Sequence, residues 1–155
     1  MTLLVATTNP GKLREIRPLL AGTRVRLVTL ADLPPMKEPE ETGATFWENA
    51  RLKALAYARA SGLPTVAEDS GLAIDALAGE PGVRSARLLG ADASYADRFA
   101  EIFRRLRDVP GGPHPARFVT ALAVADAGAL RFETEARIEG VLASAPAGAH
   151  VHGAG

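Results

Sequence analysis

The sequence predicts an α/β protein in which one mixed sheet is flanked by helices. Three observations predict it. Residues 3–6 form a short, wholly apolar run, the pattern of a parallel strand covered on both faces. Segments with apolar residues at helical spacing then alternate with strand-like segments. Further on, Leu130, Phe132, Thr134, Ala136 and Ile138 alternate with Arg131, Glu133, Glu135, Arg137 and Glu139, which marks an antiparallel hairpin strand with one face in water.

The elements follow in order. After the first strand, Thr7-Thr8-Asn9-Pro10-Gly11-Lys12 reads as a polar turn. Leu13, Ile16, Leu19 and Leu20 recur at helical spacing, and that helix is expected to stop near Ala21-Gly22. Residues 25–30 alternate as a second strand. Residues 31–44 are loop-like, with three prolines and the acidic run Glu38, Glu40 and Glu41. Thr45 and Glu48 form a capping box, and the helix they open is expected to reach about Ala60. Gly62 suits the position after its end, and Pro64 blocks continuation. Residues 63–67 and 72–77 predict two strands with an acidic segment between them. Ser94 and Asp97 make a second capping pattern, followed by an apolar stripe at Phe99, Ile102, Phe103 and Leu106. Residues 118–125 read as a strand and Asp126-Ala127-Gly128 as a turn. The expectation is a single domain over residues 1–148, followed by a disordered tail at 149–155.

Composition excludes several classes. At 155 residues, 47% of them apolar and 23% charged, the chain is an ordinary globular domain. Its 18 basic and 18 acidic residues cancel, so the broad basic footprint of nucleic-acid binding is missing. The absence of cysteine removes disulfides, thiolate metal sites and a thiol nucleophile. No apolar run is long enough to cross a membrane, and a reducing cytoplasmic location is the expectation.

Chemistry concentrates at Glu68-Asp69-Ser70-Gly71. Two adjacent carboxylates between apolar runs carry a desolvation cost of several kcal/mol unless a counter-charge is present. Neighbours along a strand point to opposite faces, so one of the pair is expected to face a given site. The Thr7–Lys12 turn, opening a helix, is a candidate phosphate cradle of backbone amides and an ammonium, and is equally compatible with a solvated lysine on a common turn. Asn49 and Lys53, four apart on one helix, either serve a ligand or form a solvated face, and spacing alone favours the solvated face. Glu41 with Glu68 or Asp69 has the one or two carboxylates that a Mg²⁺ site takes when phosphates complete its shell. Such a set, beside a lysine-bearing phosphate loop, points to metal-assisted attack of water on a phosphoanhydride. Glu38 and Glu40 are also consistent with a solvated loop.

Three segments together, residues 7–12, residues 40–50 with Lys53, and residues 67–72, resemble the family of noncanonical purine nucleoside triphosphate pyrophosphatases, also called inosine triphosphatases. Residues 79–87 resemble it too. The resemblance implies Mg²⁺-dependent hydrolysis of inosine and xanthosine triphosphates, and their deoxy forms, to monophosphate and pyrophosphate. It implies that Thr7, Thr8, Asn9, Pro10, Gly11 and Lys12 hold the triphosphate with Lys53 and Ser70. It assigns the metal to Glu41, Glu68 and Asp69, and catalysis to Asp69, as acceptor of the water's proton, with Lys12 and Lys53. It also implies a possible homodimer.

Beyond about Gly148 the resemblance stops. The family continues with a Gly-Phe-Gly-Tyr-Asp-Pro segment and, near its end, a lysine and a Ser-His-Arg that hold the base, whereas this chain reads Ala149-His150-Val151-His152-Gly153-Ala154-Gly155. The expectation is therefore an inosine triphosphatase-like fold lacking the closing part of its second lobe, as a frameshift or truncated gene would leave it. Two alternatives stand beside the leading reading: a catalytically impaired triphosphate-binding remnant, and a pyrophosphatase of the septum-formation-inhibitor type, against which the Thr8–Lys12 segment argues.

Overall fold

The computed structural model describes residues 1–90 and 92–143; the expected disordered tail lies outside the described residues. The elements are β1 (Thr2–Val5), α1 (Pro10–Leu20), β2 (Arg26–Thr29), α2 (Phe46–Ser61), β3 (Thr65–Ile74), α3 (Tyr95–Leu106), β4 (Pro115–Asp126) and β5 (Ala129–Val141), with short 3-10 turns at Leu30–Asp32, Asp75–Leu77 and Gly82–Arg87. The sheet order is β2-β1-β3-β4-β5. The β1 pairings with β2 and β3 are parallel, and those of β4 with β3 and β5 are antiparallel, so the sheet is mixed as expected.

The chain leaves β1 for β2 on one side and then returns past β1 to β3 on the other. Right-handed crossovers in opposite directions put α1 and α2 on opposite faces. Helix α2 begins at a full capping box: Thr45 Oγ1 accepts from the Glu48 amide at 3.2 Å, and Glu48 Oε2 accepts from the Thr45 amide at 3.2 Å. It ends at Gly62, whose φ of 68° only glycine adopts without strain. Its buried Ala50, Ala54, Tyr57 and Ala58 lie on Leu4, Ala67, Ala121, Ala123 and Ala125 of the sheet. A second cluster seats α3, through Ile102 and Leu106, on Ile74 and Ala116 at the far ends of β3 and β4.

One sequence expectation needs correction, and one turn forms as expected. The runs on either side of the acidic segment are one continuous ten-residue strand, β3, in unbroken register with β4 from Thr65↔Ala125 to Ile74↔Ala116. The polar residues inside it are tolerated because they border a cleft rather than the core. The strand after Asp126 turns on Ala127 and Gly128, with φ of 48° and 77°, the two positive values of a type I′ hairpin.

The strand lengths then place the site. β1 has four residues and pairs with β3 only at Leu4↔Thr65 and Val5↔Val66, with a last bond from the Ala6 amide to the Val66 carbonyl at 2.9 Å. β3 runs eight residues further. Where the short strand stops, the edge of the long one is left bare at its acidic segment, and ligands of open α/β sheets bind at the carboxyl ends of strands in such a gap.

Candidate active site

A cleft of about 530 Å³ opens at this gap. It is lined by Thr7, Thr8, Asn9 and Lys12 from the first turn, Glu38, Glu40 and Glu41 from the long loop, Lys53 and Tyr57 from α2, Glu68, Asp69 and Ser70 from β3, and Arg87 from the last 3-10 turn. Both members of the acidic pair line it, as the family resemblance implies, whereas strand alternation alone put only one there. Their side chains do leave opposite faces of β3, but the cleft wraps around the strand's bare edge and receives both.

On the α2 face, Asp69 is 7% exposed. Its Oδ2 accepts from Asn49 Nδ2 at 3.0 Å, and Lys53 Nζ stands 3.7 Å from Oδ1. Burial pushes the Asp69 carboxyl up, and Lys53 and Asn49 pull it back only in part; Glu41 and Glu68 add to the rise, so the net shift is upward. Asn49 is itself 1% exposed, and its Oδ1 accepts from the Gly43 amide at 2.8 Å. Gly43 must be small: a Cβ there would lie 2.6 Å from Asn49 Oδ1. This bond ties the end of the acidic loop to α2 and so fixes Glu41 two residues earlier. Glu41 Oε1 accepts from Lys53 Nζ at 2.6 Å, and its Oε2 pairs with Arg87. Burial pushes the Glu41 carboxyl up, but the two cations outweigh it and the net shift is downward.

On the other face, Lys12 is paired with Glu68. The turn before it is self-contained. Asn9 caps α1 by accepting from the Gly11 amide at 2.7 Å, and Thr7 Oγ1 accepts from the Asn9 amide at 3.1 Å. The cap takes the Gly11 amide, the Asn9 carbonyl takes the Leu13 amide, and Pro10 has none, so few amides are left for the expected backbone cradle. Pro10 and Gly11 do not line the cleft; they shape the turn that presents Thr7, Thr8, Asn9 and Lys12. Ser70 reaches the cleft wall. Tyr57 and Arg87 are site residues to which the sequence assigns no role, and Asn49 serves the site rather than the solvated face that its spacing favours. Asn49 was signalled by its spacing from Lys53, and Arg87 only by its place in residues 79–87.

Comparison with known proteins is decisive about ancestry. The sequence model of the Ham1 family matches residues 3–153. The chain belongs to the Ham1 family. The match runs past Gly148, where the resemblance was expected to stop. A dITP/XTP pyrophosphatase of Geobacillus kaustophilus is 45% identical over 146 residues, which are 94% of this chain and 72% of that protein. One from Thermus thermophilus is 45% identical over 148 residues, 96% of this chain and 70% of the relative. Among solved structures, a HAM1 protein from Coxiella burnetii superposes with a TM-score of 0.88 at 32% identity, over 98% of this chain and 78% of that one. A nucleoside-triphosphatase / dITP/XTP pyrophosphatase from Mycobacterium abscessus gives 0.84 at 42% identity, over 96% and 78%. The mixed five-stranded sheet is thus the Ham1 fold, and the sequence match to the Ham1 family, not the fold, sets the septum-formation-inhibitor alternative aside.

Among the described residues, no three acidic or histidine side chains gather as a ready-made metal cage. The donor chemistry nevertheless fits Mg²⁺. Five cleft carboxylates outnumber the three cations Lys12, Lys53 and Arg87 by two, and carboxylate oxygens are the hard donors that Mg²⁺ takes singly or in pairs. A cleft with that surplus of negative charge repels a triphosphate unless a cation comes with it.

Proposed function

We propose that the chain hydrolyses noncanonical purine nucleoside triphosphates, the dITP and XTP class named for its relatives, to the monophosphate and pyrophosphate. Asp69 carries this reading. It is a buried carboxylate, raised in pKa and held by Asn49 and Lys53, that faces a cleft whose other wall bears Lys12. A raised pKa makes it a better proton acceptor than an ordinary aspartate, and two fixed partners orient it. In the reaction, the water oxygen bonds to the α-phosphorus while the bond from that phosphorus to the bridging oxygen breaks. Pyrophosphate leaves on that oxygen, and the water's proton passes to Asp69. Lys12, Lys53 and the Thr7, Thr8 and Asn9 wall hold the triphosphate, and Ser70 borders it. Glu41, Glu68 and Asp69 are the residues that would hold Mg²⁺. When bound, Mg²⁺ neutralises phosphate charge that builds up as pyrophosphate leaves.

A pyrophosphate-release assay with inosine triphosphate and Mg²⁺ tests this. Release in the native chain, lowered roughly 10²–10⁴-fold by Asp69→Asn, is the expected result. Triphosphate binding without release would mark an impaired remnant instead, and equal turnover by Asp69→Asn would overturn the assignment. The same reading places the protein in the cytoplasm, where its substrates are; among the described residues no helix is long and apolar enough to cross a membrane. It also carries the family's homodimer, to be read by sedimentation.

A further inference from the structure

Arg87 is the cleft cation the mechanism above leaves unused, and its setting differs from that of the two lysines. It closes the 3-10 turn Gly82–Arg87, whose backbone is pinned on both sides. Before it, Ser85 Oγ accepts from the Leu72 amide at 3.0 Å and donates to the Gly82 carbonyl at 2.6 Å, so the turn is laced to β3. The approach is close enough that a Cβ on Gly71 would lie 2.6 Å from the Gly82 oxygen. After it, the buried Arg98 of α3 donates to the Leu88 carbonyl at 3.2 Å and the Gly90 carbonyl at 3.3 Å. The backbone is fixed, yet the Arg87 side chain is 50% exposed, against 16% for Lys12 and 14% for Lys53. Of the three cleft cations, Arg87 is the one most open to solvent.

Its ion-pair partner is Glu41, a residue placed above among those that would hold the metal. Glu41 carries one cation on each oxygen, Lys53 on Oε1 and Arg87 on Oε2. A divalent ion that takes Glu41 must displace them. Lys53 keeps Asp69 nearby at 3.7 Å; Arg87 surrenders the carboxylate it was paired with. A guanidinium fork fits phosphate as well as it fits carboxylate. We propose that Arg87 is a triphosphate-binding residue held against Glu41 until the metal arrives, so that metal and triphosphate enter by one exchange: Glu41 passes from Arg87 to the metal, and Arg87 from Glu41 to a phosphate. This rests on reading the cleft as a metal–triphosphate site.

The exchange makes Arg87 act with opposite sign on the two ligands. In the nucleotide-free protein it competes with the metal; in the loaded protein it helps the triphosphate. Arg87→Ala is therefore expected to tighten Mn²⁺ binding several-fold without nucleotide, by titration of free Mn²⁺. It is also expected to weaken inorganic tripolyphosphate binding in the presence of Mn²⁺, and to raise KM for inosine triphosphate, roughly tenfold or more. Arg87→Lys keeps the charge but not the fork and falls between. Arg84→Ala, on the same turn but paired with Glu80 outside the cleft, leaves all three unchanged. Metal and tripolyphosphate affinities of Arg87→Ala that fall together, or neither changing by twofold, overturn the exchange. If the native chain releases no pyrophosphate, the hydrolase reading fails, while the Mn²⁺ and tripolyphosphate titrations still decide the exchange.

Discussion

Helices α1 and α2 each bring one lysine to one carboxylate of β3, but they are built differently. Helix α2 has 16 residues, five of them buried, and lies across β3 and β4. Helix α1 has 11 residues, none buried, with Pro18 inside it and Leu19 77% exposed. The α2 side therefore holds Lys53, Asn49 and Asp69 in a frame set by packing, whereas Lys12 rides on a helix that little restrains. The chemistry asks for this division. A group that takes a proton from water must be placed to within a fraction of an ångström, whereas an ammonium against a triphosphate works over a range of positions.

If the comparison holds, Asp69→Asn costs far more turnover than Glu68→Gln on the pliable side, by at least about tenfold within the 10²–10⁴ range for a lost base. Parallel rate measurements check it, and equal losses break it. Next in size is Ala54→Leu. Ala54 is 0% exposed beneath α2, and overpacking there is expected to lower stability by about 1–3 kcal/mol in urea unfolding. Asn49→Ala strips the Gly43 amide and Asp69 of a partner at once, again about 1–3 kcal/mol. Since the Asn49 bond lowers the Asp69 pKa, its loss raises it, and the acid limb of the pH–rate profile moves to higher pH. A smaller effect concerns stability alone. The folded-state pKa of Asp69 lies above its ordinary 3.8, so its contribution is present below that value and lost as pH rises through the raised one. Asp69→Asn is thus at least as stable as the native chain at pH 7, and the difference closes near pH 4; urea midpoints at the two pH values read it. Smallest is Leu19→Ser on α1, within about 0.5 kcal/mol.

Much of this was legible in the sequence because it is local. The capping boxes at Thr45 and Ser94, the Gly62 stop and the alternation of β5 each depend on a few neighbouring residues. The family motifs, likewise local, named Lys12, Lys53, Glu41, Glu68 and Asp69. Three features were not legible. The continuity of β3 through Glu68-Asp69-Ser70 depends on β4, some fifty residues later, offering a partner at every position. The family motif names both carboxylates, but how two opposite faces of one strand reach one cleft depends on β1 stopping early, a length difference invisible within either strand. Arg87 reaches Glu41 across 46 residues because a turn folds onto β3, and no spacing rule announces that.

The contact beneath α2 is made largely of alanine: Ala50, Ala54 and Ala58 on the helix against Ala67, Ala121, Ala123 and Ala125 on the sheet. Alanine has no rotamers to freeze, so this contact forms without the side-chain entropy loss that leucine or methionine would incur. Apart from Leu4 and Tyr57, its buried residues have no side chain long enough to shift and absorb a displacement. A helix seated on methyl groups has a single resting height above its sheet, and Asn49 and Lys53 inherit that height. Their placement is thus encoded less by the polar residues themselves than by the smallness of the residues under them.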